Sequence, residues 1–87
     1  MFNKWTTLKF KRVQWDYVYK KDNIEIKILP VEYYDGRKTF TVFADKWIYT
    51  DNIYTGSVRL TRHMIPTLDE AKFVATWYYN RILDYVD

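Results

Sequence analysis

The chain has 87 residues, room for one domain spanning 1–87, and its 48% hydrophobic and 21% aromatic content supplies a dense core for so short a polypeptide. It has no Cys, one His (His63) and two Gly, which excludes a disulfide scaffold, a thiolate or multi-histidine metal site, a cysteine nucleophile and a glycine-rich phosphate loop. The formal net charge of +3 is uneven: residues 1–27 carry seven Lys or Arg against three Asp or Glu, the remainder seven against eight.

The first residues contain no apolar run of the secretory type, and no stretch approaches the ~20 apolar residues that span a bilayer. A cytoplasmic protein without a membrane partner is therefore expected. Lys, Tyr, Ile, Phe and Asn, all encoded by A/T-rich codons, total 34 residues, against 12 for Gly, Ala, Pro and Arg. In size and composition the chain is similar to the small accessory proteins of bacteriophages and mobile elements, which would place it in the host cytoplasm.

Apolar residues alternate at Leu8 and Phe10, then at Val13, Trp15, Tyr17 and Tyr19, and the change of parity predicts a bulge or turn at Lys11-Arg12. Lys20 to Asn23 is a polar break. Ile24, Ile26 and Ile28 follow, alternating with Glu25 and Lys27, so the two segments form a hairpin. Asp35-Gly36 suits the two positive-φ positions of a type I′ turn, placing Tyr34 opposite Arg37, Val31 opposite Phe40 and Leu29 opposite Val42. This register gathers Leu29, Val31, Phe40 and Val42 on one face. It leaves the three isoleucines on the wrong parity, so a bulge is expected near Pro30. Trp47 to Thr50 and Ile53 to Arg62 flank a further turn at Asp51-Asn52.

Pro66-Thr67 opens a helix over about residues 68–86, with Thr67-Leu68-Asp69-Glu70 as its capping box and two acids at the positive end of its dipole. At 100° per residue, Leu68, Ala71, Ala75, Tyr78, Tyr79, Ile82, Leu83, Tyr85 and Val86 form one apolar sector. The expected fold is α+β: an antiparallel meander of four to five strands over about residues 5–62, with one C-terminal helix across one face.

No constellation of catalytic groups stands out. His63 lies beside Arg62 between the last strand and the helix, and the carboxylates are spread one per strand, turn or cap, so neither an enzyme, a cofactor nor a metal site is expected. Two surfaces invite a binding role. By strand parity Lys9, Lys11, Lys27 and Arg59 share a basic open sheet face suited to DNA or RNA phosphate, with Arg12 and Arg62 as further candidate contacts. Antiparallel strands followed by Thr67, Glu70 and Ala71 and an aromatic helix carrying Tyr78-Tyr79 are similar to small DNA-binding domains of the integrase-arm type. That resemblance implies a sheet facing the major groove, and no contact residue carries over.

The second surface is on the helix. Phe73 and Trp77, four residues apart, fall among Asp69, Glu70, Asn80, Arg81 and Asp84 on the side away from the apolar sector. Trp and Arg are enriched at interface hot spots, so Phe73, Trp77 and Arg81 are candidate partner-binding residues. Cover by Phe2 or Trp5, or Arg81 stacked on Trp77, is the competing account. The leading expectation is a non-catalytic regulator or inhibitor of the phage or mobile-element type that binds a host protein. Nucleic-acid binding on the sheet is the alternative, and homodimerisation or assembly into a larger structure are further options.

Overall fold

Chain reversals are marked by residues with positive φ: Gln14 (55°), Asp22 (54°), Gly36 (87°), and the consecutive pair Asp51 (52°) and Asn52 (67°). In the computed structural model, which describes residues 8–84, these turns separate five strands. They are β1 (Lys11–Val13), β2 (Asp16–Lys21), β3 (Ile24–Glu32), β4 (Lys38–Thr50) and β5 (Ile53–Ile65), followed by helix α1 (Leu68–Leu83). The strands form one antiparallel sheet in sequence order, with α1 packed against β3, β4 and β5. This is the α+β meander expected from the sequence.

The buried face is built by Ile24, Ile26 and Ile28 of β3, Phe40, Val42 and Ala44 of β4, and Ile65 of β5, closed by Ala71, Ala75 and Ile82 of α1. The two alanines let the helix backbone approach the sheet. Each fully buried Ile or Val contributes roughly 1.5–3 kcal/mol, so Ile26, Ile28, Val42 and Ile82 anchor the domain. Tyr19 packs edge-on against Tyr79 at 5.5 Å between ring centroids. Burial and the hydrogen bond with Tyr19 push the Tyr79 phenol up from its ordinary value.

Several local expectations are corrected. Lys11-Arg12 is not a bulge but part of β1. The turn lies at Gln14-Trp15, flanked by the pair Val13 and Asp16, and Trp15 sits 75% exposed at its tip. A turn tryptophan continuing the apolar alternation hid the reversal. The polar break at Lys20 to Asn23 is shorter than expected, because β2 runs to Lys21 and pairs with Ile24.

The turn after β3 is a five-residue loop, not a two-residue type I′ turn. Glu32 pairs with Lys38, and the amide of Tyr33 donates to the Arg37 carbonyl at 2.9 Å. The register shifts by one: Val31 faces Thr39, Leu29 faces Thr41 and Ile28 faces Val42. Leu29 and Val31 therefore leave the buried face, the three isoleucines enter it, and β3 runs through Pro30 opposite Phe40 without a bulge. Bulges lie instead between β4 and β5, where the register shifts between Phe40 and Val42 and between Ile48 and Tyr49. β5 extends to Ile65, past the expected end at Arg62.

Helix α1 begins as expected: the Thr67 hydroxyl accepts from the Glu70 amide at 3.1 Å and donates to the Glu70 carboxylate at 3.2 Å. It ends at Leu83 with Asp84 as C-cap, earlier than expected, and Leu83 is exposed instead of joining the apolar sector. Tyr85 and Val86 lie outside the described residues.

Candidate functional site

Pairing fixes which side chains share the face that α1 leaves open. Lys11, Val18, Lys27, Phe43 and Thr61 form one row across the five strands. Lys20, Glu25, Asp45 and Arg59 form the adjacent row. Lys11 and Lys27 thus stand on the open face as expected. Lys9, Lys11 and Lys20 line an open depression of about 390 Å³ whose other lining residues are Val13, Val18 and Tyr19. Lys20 was missed from sequence because it read as part of a loop.

Arg59 also reaches this face, with its charge compensated. Its guanidinium donates to both carboxylate oxygens of Asp45, at 2.5 and 3.2 Å, and lies 4.8 Å from the centroid of Phe43. Asp45 is itself buried, and its hydrogen bonds raise the Arg59 pKa. Lys27 sits 4.0 Å from Glu25, the outer limit of an ion pair.

Arg12 and Arg62 are corrected. Arg12 pairs with Tyr17, donates to its hydroxyl at 3.1 Å and lies over its ring, and Arg62 is opposite buried Val42. Both belong to the helix-covered side by plain alternation: Arg12 follows Lys11 in β1, and Arg62 is two residues from Leu60, which faces buried Ala44. At that end His63 is hydrogen-bonded to Thr41 at 3.3 Å and meets Phe43 edge-on. Among the described residues, no three His, Cys, Asp or Glu side chains converge as metal ligands.

The outer face of α1 carries the other candidate surface. Phe73 is 60% exposed and Trp77 41% exposed, and Arg81 lies 4.8 Å above the Trp77 ring. The local cation–π pair of the competing account is therefore present, one turn from Phe73. Cover by Phe2 or Trp5 falls outside the described residues.

No protein-family model, no curated protein and no solved structure matches this chain. Its functional reading thus rests on the two surfaces themselves. They lie on opposite sides of the domain, since α1 covers the sheet face opposite the lysines. No helix is long and apolar enough to cross a membrane among the described residues.

Proposed function

We propose that this is a non-catalytic binding protein that docks another protein through the outer face of α1. One observation carries the reading: Phe73 and Trp77 remain substantially exposed on a helix whose opposite side closes the core. An isolated exposed apolar residue is ordinary, whereas two large aromatics one turn apart give a partner a contiguous anchor. Arg81, stacked on Trp77, holds its guanidinium ready for a carboxylate beside the pocket that receives the indole. The partner surface that fits is an apolar cleft with an acidic rim. A regulator or inhibitor of the kind that phages and mobile elements encode, acting on a host protein, is the concrete form; the small size and A/T-codon-rich composition support it.

A photo-reactive residue at position 73 tests this in extract of the cells that make the protein, treated with nuclease. The expected result is one dominant crosslinked protein, lost in Trp77→Ala and weakened in Arg81→Ala while both variants melt as the parent does. Purified, that protein should bind Trp77→Ala about thirtyfold more weakly or worse, the loss of a hot spot worth about 2 kcal/mol. Unchanged binding overturns the reading, as does a Trp77→Ala domain that no longer folds.

A further inference from the structure

The open sheet face holds a second site, and its residues point to phosphate. Lys9, Lys11 and Lys20 surround the depression, and Lys27 stands next to Val18 in the same row as Lys11. The carboxylates on the open side of β1, β2 and β3 are Asp16, at the turn end, and Glu25, whose link to Lys27 is a 4.0 Å pair on a solvated surface. Such pairs are weak and leave the ammonium available.

The row that begins at Lys11 reaches an aromatic platform on β4, one strand before its end at Thr61. Phe43 lies beside Lys27, and the guanidinium plane of Arg59 is held over its ring by Asp45. Side-chain platforms of this kind stack unpaired bases, and lysines beside them take the backbone. Adjacent strands are ~4.8 Å apart, so Lys11 and Lys27 are ~10 Å apart and Phe43 one strand further. This spacing follows a chain crossing the strands, with phosphates over β1 to β3 and a base over β4.

Sheet width argues against seating the whole face in a duplex groove. Five strands span ~19 Å, wider than the ~12 Å major groove, which admits a helix or a two-stranded ribbon. We propose that the open face binds single-stranded nucleic acid, with Lys9, Lys11, Lys20 and Lys27 on the phosphates and the Phe43–Arg59 platform under a base. The site is on the other side of the domain from Phe73 and Trp77 and does not depend on the docking reading.

The full chain is titrated against a labelled oligothymidine of about 15 nucleotides over a salt series, beside a duplex of equal length and polyglutamate. The oligothymidine should bind with a log–log salt slope of about −2 to −3, at ~0.7 per phosphate contacted. Lys11→Gln with Lys20→Gln should flatten that slope by about 1.4, the loss of two contacts. Phe43→Leu, which keeps an apolar side chain, should weaken binding at least about fivefold without changing the slope. Duplex or polyglutamate binding as tight as the oligothymidine overturns the proposal. So does undetectable binding at about 50 mM salt, or a slope that the two lysine changes leave unmoved. Lys11 and Lys20 are exposed, so their substitution decides the matter even where Phe43→Leu lowers stability.

Discussion

Asp45 and Arg59 show how one pair separates stability from function on the same face. The Asp45 side chain is only 8% exposed and receives two hydrogen bonds from a guanidinium that is itself largely in solvent. Deleting the arginine leaves a buried carboxylate without those donors, and such a group costs about 1–3 kcal/mol. Arg59→Ala should therefore lower the unfolding free energy, read from denaturant titration, by that amount. Lys27→Ala, removing a 4.0 Å contact on the solvated face, should change stability by less than about 0.5 kcal/mol. Equal losses in the two variants would mean that Asp45 is satisfied some other way. Sequence reading placed Arg59 on the open face and still missed this role. The partners are fourteen residues apart and face each other only through the register shift between Ile48 and Tyr49, while Glu25 joins their row across a β3–β4 turn read one residue out of register.

That turn explains what was and was not legible at the level of elements. Asp35 accepts from the Arg37 amide at 3.1 Å and from the Arg37 guanidinium at 2.8 Å, and Gly36 supplies the positive φ. The same Asp-Gly chemistry serves a tight two-residue turn equally well, so local preference does not choose between them. Burial chooses: only the longer loop brings Ile24, Ile26 and Ile28 onto the face of Val42 and Ala44. Asp51-Asn52, with both residues at positive φ, is where the tight turn occurs. Helix α1 was legible because its signals are local: Thr67 and Glu70 cap it, and Ala71, Ala75 and Ile82 mark its inner side. Thr67→Ala should accordingly cost about 1 kcal/mol and lower Tm by about 4–8 °C, with Thr67→Ser restoring most of it. A melting curve unchanged by Thr67→Ala would show that the first turn is held by packing alone.

Over the whole molecule, the strand lengths create a projection that composition and periodicity did not show. β3 begins at Ile24 opposite Lys46, whereas β4 continues to Thr50 and β5 starts at Ile53. The segments beyond Trp47 pair with each other across Asp51-Asn52, and the molecule is elongated, 49 × 32 × 19 Å. The base of this arm is clamped: the Trp47 amide donates to the Asn23 carbonyl at 2.9 Å, and the Asn23 side-chain amide donates to the Trp47 carbonyl at 2.5 Å. Further out, Tyr49 and Tyr54 meet edge-on while staying exposed, and Thr55 donates to the Ile48 carbonyl where the register shifts. Bulges of this kind bend an edge strand and discourage pairing with a second sheet. Two stabilities in one sheet are the consequence. In native-state hydrogen exchange, the amides of Ile26, Ile28, Val42 and Ala44 should open only with global unfolding. Those paired near Tyr49 and Tyr54 should exchange through local fraying at far lower free energy. Asn23→Ala should lower protection in the arm and leave Ile26 little changed. Arm protection equal to that of Ile26 at every protein concentration would refute the two-stability picture. Protection that rises with concentration would instead locate a contact between copies on the arm.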